Sequence, residues 1–238
     1  MVKITEHEND LHIRPPVMLC DVELGEIPQP MPDKAFFMML IGSAGSGKTS
    51  FLVSLLTQKK PAIYRRVFEN IFVVAPAHSL ASIKSNIFRN HSPDKIFNEL
   101  SVSTLQTIKT NVMKEASDGY NSLLIIDDMT VYLKDKENEK LLKDLIYNRR
   151  HYHLSIILCV QSYTATPLTL RKTISHGVLF KPKNKREFES VFEEVLFQPK
   201  HIIDEVSKHV YKKAHDFLFF DVNNGELYKN FNKLDIQE

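Results

Sequence analysis

Residues 42–49 read Gly-Ser-Ala-Gly-Ser-Gly-Lys-Thr, between the apolar run Phe36–Ile41 and a segment of helical spacing, Thr49–Gln58. Few folds tolerate a glycine-rich turn set between a buried strand and a helix. Glycine lets successive backbone N–H groups turn inward, and the helix N-terminus adds free donors and a favourable dipole. Such a turn is suited to hold an anion with many oxygens. The pattern Gly-x-x-x-x-Gly-Lys-Thr is complete at Gly42, Gly47, Lys48 and Thr49, in the strand–loop–helix setting that a phosphate loop requires. The expected ligand is ATP. Lys48 is expected to reach the β- and γ-phosphates, and the Thr49 hydroxyl to ligate Mg²⁺. Ser43, Ala44, Gly45, Ser46 and Ser50 complete the expected cradle.

The rest of the chain alternates short apolar runs with helical patterns. Strands are expected at Asn70–Ala75, Ser122–Ile126, Leu154–Val160 and Gly177–Phe180, and helices at Thr104–Ala116, Glu137–Arg150, Pro167–Lys172 and Phe188–Leu196. Short helices are expected within 79–103. Phe217–Val222 and Glu226–Phe231 flank Asn223-Asn224-Gly225 and read as a hairpin. Strands apolar on both faces and spaced by helices predict a mainly parallel sheet between helical layers. The predicted fold is an α/β three-layer P-loop NTPase sandwich over residues 35–238, with the hairpin at its C-terminal end. Residues 1–34, with Pro15, Pro16, Pro28, Pro30 and Pro32, predict an extended arm.

Composition narrows the class. Among 238 residues, 43 % are apolar and 25 % charged, as in a soluble globular domain. No apolar run approaches membrane-spanning length, and the N-terminus lacks a signal-peptide profile. Cys20 and Cys159 form no disulfide framework, which fits a reducing compartment. Net charge is +2, so charge alone does not announce a nucleic-acid binder. The basic clusters Lys59/Lys60, Arg65/Arg66, Arg149/Arg150, Lys181–Arg186 and Lys212/Lys213 read first as solvated faces.

Two further features carry chemistry. Leu123–Ile126 ends in Asp127-Asp128. An acid at such a strand tip holds Mg²⁺, a role for Asp127, while Asp128 would orient and activate the attacking water. A strand intervenes between the phosphate loop and Asp127, as in the P-loop branch that separates phosphate and metal strands. That branch places a polar sensor on the strand beside the metal strand. Gln161, at the tip of Leu154–Val160, stands there.

Taken together, Gly42–Thr49, Leu124–Asp128, Arg150-His151, Val160-Gln161-Ser162-Tyr163, Pro167 and Arg171 resemble the FtsK–HerA superfamily. Within it the chain is similar to the genome-packaging ATPases of large eukaryotic DNA viruses and virophages, over about residues 36–200. The resemblance implies an additional-strand, RecA/FtsK-like fold. It also implies a homo-oligomeric ring that drives double-stranded DNA into a capsid with ATP. It further implies sequence-independent DNA contact, a capsid or vertex partner, and action at the host-cell cytoplasmic assembly site or on the virion. In such motors an arginine on the helix before the glutamine strand reaches the neighbouring subunit's site. Arg150 occupies that place, and Arg149 is its rival. Arg171 is a second sensor or a subunit contact. The chain departs from many relatives in carrying Asp128 where they carry glutamate, and it has no winged-helix module.

Asn232-Lys233-Leu234-Asp235 matches a guanine-specificity pattern, but Thr130 stands where a GTPase needs glycine. His151 and His153 have no third ligand spaced with them, so no metal site is expected there. Two other functions fit the phosphate loop: a small-molecule kinase with a basic lid that includes Arg171, Lys172, Lys183 and Lys185, and a slowly hydrolysing ATP-dependent assembly switch.

Overall fold

The computed structural model describes residues 18, 20–81, 87–196 and 200–236. Among the described residues, nine strands form one sheet in the order β3-β2-β4-β5-β1-β6-β7-β8-β9. They are β1 (Phe37–Ile41), β2 (Asn70–Val74), β3 (Ile96–Phe97), β4 (Ser122–Asp127), β5 (Leu154–Val160), β6 (His176–Phe180), β7 (Phe217–Asp221), β8 (Glu226–Lys229) and β9 (Asn232–Leu234). The first six run parallel. The last three continue the sheet antiparallel from β6.

The central strands are buried on both faces, as their unbroken apolar sequences require. Their side chains alternate between two cores. Phe37, Met39, Ile41, Leu124 and Ile126 face one, together with Leu105, Leu142, Phe192 and Ile203. Those partners come from α3 (Val102–Ser117), α4 (Lys136–Tyr147), α6 (Lys185–Val191, continued as a π-turn over Phe192–Leu196) and α7 (Lys200–Val210). Met38, Leu40, Leu123 and Ile125 face the other, with Leu52 and Leu55 of α1 (Lys48–Thr57) and with Leu24, Met31 and Tyr64. Each fully buried Leu, Ile or Phe stabilises the fold by about 1.5–3 kcal/mol. The expected three-layer α/β sandwich is therefore the observed one.

Several boundaries differ from expectation. The helix expected over Glu137–Arg150 ends at Tyr147, where Asn148 caps it and donates its side-chain amide to Asp144. The chain then turns through Arg149–His153, with His153 at φ 43°, to enter β5. Residues 79–103 hold the end of α2 (Ala77–Ala81), a 3₁₀ turn at Pro93–Lys95 and the two-residue β3, while 82–86 lie outside the described residues. The helix near Pro167 is one turn, α5 (Leu168–Arg171). Sequence reading missed α7, although Ile202, Ile203, Val206 and Val210 carry a helical spacing. It also missed β9, which turns the expected hairpin into a three-stranded extension.

Much of the expected N-terminal arm, 1–17 and 19, lies outside the described residues. Residues 20–34 lie on their own domain. Leu24 and Met31 are buried, Glu23 bridges Lys34, and Tyr64 donates to the Pro32 carbonyl at 2.8 Å.

At the base of β6, His176 is buried between Phe36 and Phe219, with Nδ1 3.0 Å from Ser175 Oγ and Nε2 3.6 Å from Asp221. Burial holds its pKa down at about 4, overriding the pull of Asp221. The unfolded chain takes up this proton near pH 6.5 and the folded chain near 4, so the stabilisation is complete above about pH 6.5 and drains away as pH falls toward 4. Urea melts should show about 3 kcal/mol lost to this group across that window. The stability gap between wild type and His176→Gln should narrow over the same range. A gap independent of pH would refute the assignment.

Candidate active site

Parallel strands deliver their C-terminal tips to one edge of the sheet, and the sequence-predicted groups collect there. Ile41 pairs with Val160, and Asp127 with Cys159. Gly42 N–H donates to the Val160 carbonyl at 3.1 Å. β5 thus lies between the phosphate-loop strand and the acid strand, which sets Gln161 between them. Its Nε2 donates to Asp128 Oδ1 at 2.8 Å. Asp128 has φ 56°, a left-handed backbone uncommon outside glycine, and strain of this kind concentrates at functional sites.

The loop itself is built for an anion. Gly47 is the N-cap of α1 at φ 113°, and Gly45 stands at φ 76°, conformations that favour glycine. Among the described residues no side chain caps α1, so its first amides keep their donors. A Cβ on Gly42 would lie 2.5 Å from Ser46 Oγ. That hydroxyl is buried and has no hydrogen-bond partner among the described residues. Lys48 Nζ donates to the carbonyls of Gly42 and Ser43, the latter at 3.1 Å. The donor set fits a polyphosphate: uncapped amides at the start of α1, an unpartnered hydroxyl and an ammonium. Ala44 and Ser50 lie exposed on its rim, and Thr49 opens α1 beside Lys48.

Burial pushes the Asp127 carboxyl above its ordinary range; Lys48 pulls it back, and Asp128 adds to the rise. A cation at this position would relieve both the burial cost and the repulsion. Among the described residues no group of three or more His, Cys, Asp or Glu side chains could hold a metal ion. Mg²⁺ needs no such group, because it is usually held by one or two protein ligands plus phosphate oxygens and water. Cys159 is fully buried beside Asp127, and burial, then the Asp127 charge, pushes its thiol pKa up.

Other residues at this edge were not legible in sequence. Glu187, from the first turn of α6, accepts from Ser162 Oγ (2.6 Å), Tyr163 N (2.7 Å) and Thr164 Oγ1 (2.6 Å). Burial opposes its charge, but these bonds win and lower its pKa. The loop after Gln161 is thereby tied to α6. Glu187, Lys183 and Phe180 face Gly42, Ser43 and Gln161 across a cleft of 180 Å³. His215, in the loop between α7 and β7, sets Nδ1 3.0 Å from the Ser46 carbonyl. No spacing in the sequence links 215 to 46.

The arginines separate. Arg171 pairs with Glu194 at 2.8 Å and lies 4.8 Å over the Tyr163 ring, whose hydroxyl also donates to Glu194. Its side chain is committed within its own chain, behind the Gln161 loop. Arg149 turns inward, donating to the Ile146 carbonyl, and burial lowers its pKa. Arg150 faces solvent and is bonded to Asp21. Both sit before β5, whose seven residues span about 20 Å, at the opposite edge from their own phosphate loop.

The Asn232–Asp235 pattern lies largely in β9, where Lys233 pairs with Glu226 rather than facing a base pocket.

Comparison with known proteins agrees with this geometry. The chain is 30 % identical over 151 residues to the DNA packaging protein OPG160 of monkeypox virus, covering 61 % of this chain and 47 % of that protein. It spans about half the length of the curated relatives it matches. The DNA-packaging ATPase B204 of Sulfolobus turreted icosahedral virus has a similar structure, with a TM-score of 0.62 at 16 % identity over 86 % of this chain and 99 % of that one. ATPases 2 and 3 of EssC from Geobacillus thermodenitrificans match at 0.53 and 12 % identity, over 84 % and 41 %. These two likenesses show a shared fold. A family model, described as the Poxvirus A32 protein, matches residues 29–210, which include the phosphate loop, the acid pair and Gln161. Over three quarters of its length, including the phosphate loop, the acid pair and Gln161, this chain belongs to the Poxvirus A32 protein family.

Proposed function

We propose that this chain is the ATP-hydrolysing subunit of a motor that moves double-stranded DNA into a viral capsid, and that it works as a homo-oligomeric ring. The observation that carries the proposal is the convergence of Lys48, Asp127, Asp128 and Gln161 at one sheet edge, with Asp128 bonded to Gln161 at 2.8 Å. The family, and the packaging name of relatives that this chain matches over part of their length, support the cargo.

In this proposal the loop amides, Ser46 and Lys48 hold the phosphates of ATP. Thr49 and Asp127 hold Mg²⁺, which supplies charge neutralisation on the phosphate oxygens. Asp128 takes a proton from the attacking water, and Gln161 fixes the orientation of that carboxylate. The phosphoryl charge that develops needs a further cation. Lys48 already stands at the loop. Arg150, solvent-facing and far from its own site, supplies the second cation to the next subunit in the ring. The Arg150–Asp21 pair makes the N-terminal segment a part of that contact. DNA contact is electrostatic and sequence-independent. A capsid or vertex protein is the further partner, at the cytoplasmic assembly site or on the virion. A kinase lid fits less well, because Arg171 is tied to Glu194 and Tyr163.

The test is the ATPase rate of size-fractionated protein with and without long duplex DNA. Stimulation confined to the oligomeric fraction is expected. A rate indifferent to DNA in every fraction would sink the motor and favour the slow switch. Phosphate transfer to a small acceptor would favour the kinase.

A further inference from the structure

Gln161 and Asp128 directly follow the tips of β5 and β4, to one side of β1. The terminal phosphate must point that way, since the attacking water is activated there. The remainder of a nucleotide held by the loop then extends to the other side, over the tips of β6, β7 and β8. The pairing brings Phe180 opposite Phe217, and Leu218 opposite Lys229. The loop before β7 and the Asn230–Phe231 turn after β8 therefore share the edge that bears the phosphate loop. Two strand spacings, about 10 Å, separate β1 from β7, a distance that a nucleotide's sugar and base can cross.

What waits there is aromatic and fixed. Phe51 lies one turn into α1, three residues beyond Lys48, with its ring 5.1 Å from Phe217 and 6.0 Å from Phe231. Phe231 also contacts Phe217 and Phe219, yet 40 % of it stays exposed, unusual for a phenylalanine with three ring partners. His215 is exposed at the same edge, bonded to the loop at Ser46 and close to Gly47, where a Cβ would lie 3.3 Å from the imidazole. The segment is braced. Asp216 accepts from the Lys212 and Lys213 amides, and Asn230 bonds both Phe217 and Asp216. His215 and Asn230 both hold positive φ, at 65° and 56°, so strain as well as exposure concentrates here.

We infer that Phe231, backed by Phe51 and Phe217, is the stacking platform for the base of the bound nucleoside triphosphate. The inference rests on the proposed phosphate site and adds the base to it. A ring face offers stacking without base-edge hydrogen bonds, so it favours the larger purines over pyrimidines and distinguishes adenine from guanine weakly. It also gives the C-terminal β7–β9 extension a role, that of carrying half of the nucleotide site.

The test separates base from phosphates. Calorimetric titrations of the full chain with Mg²⁺ would use ATP, CTP and inorganic tripolyphosphate as ligands. Phe231→Ala and Phe231→Leu should each weaken ATP binding by about 10- to 100-fold. Both should leave tripolyphosphate affinity unchanged and close the gap between ATP and CTP. Leucine keeps bulk over Phe51 and Phe217, which guards against simple loss of folding. Retained ATP affinity in both variants would overturn the platform while the phosphate site stands. So would equal weakening of ATP and tripolyphosphate by Phe231→Leu. If wild-type protein binds neither ligand, the phosphate site fails and the platform with it.

Discussion

Lys48→Ala should lower ATP turnover by about 10²- to 10³-fold or more, the usual cost of removing one preorganised donor from a developing anion. The ammonium now donates to the Gly42 and Ser43 carbonyls. Alanine would remove those bonds, at about 1 kcal/mol each, and the Lys48 charge that offsets the burial of Asp127. The sheet edge therefore stays folded, and a melting temperature within a few degrees of wild type should accompany the lost activity. Steady-state phosphate release measured beside a thermal melt checks both halves. Turnover within about threefold of wild type would overturn the assignment of this loop as the hydrolytic site.

Asp128→Asn should separate binding from chemistry. Asparagine tolerates the left-handed backbone that residue 128 holds, and its Oδ1 still accepts from Gln161 Nε2. What disappears is the proton acceptor, a loss of about 10²- to 10⁴-fold in hydrolysis. Nucleotide affinity should change by no more than a few-fold. Affinity lost in parallel with rate would assign Asp128 to the metal or to the backbone instead. The same variant tests the ring. Asp128→Asn subunits mixed with Arg150→Ala subunits should recover part of the activity, because some interfaces then pair an intact Arg150 with an intact Asp128. Zero recovery at every mixing ratio would remove Arg150 from the site.

Asp127 and Asp128 show why adjacent acids can divide labour. The first closes a buried strand, and its carboxyl is raised by burial. The second has left the strand, at φ 56°, and meets Gln161. Such an arrangement allows one to hold a cation while the other accepts a proton.

Local pattern determined the parts of this protein whose physics is local. Two-faced apolar strands specified a buried parallel sheet, because such a segment is stable only between two layers. Gly42–Thr49 specified a tight turn from strand to helix, because the positive φ at Gly45 and Gly47 favours glycine. Asp127-Asp128 and Gln161 were legible as strand tips, since parallel strands send every tip to one edge. The tertiary structure alone decided what depends on packing between distant residues. It set Glu187 against the Gln161 loop, tied Arg171 to Glu194 and Tyr163, and turned Arg149 inward while Arg150 stayed out. It also folded the tail back, so that His215 meets Ser46 across 169 residues. No periodicity encodes such meetings. They follow from strand order, which sets β6 beside β1 and β7 beside β6 only once the whole sheet is assembled.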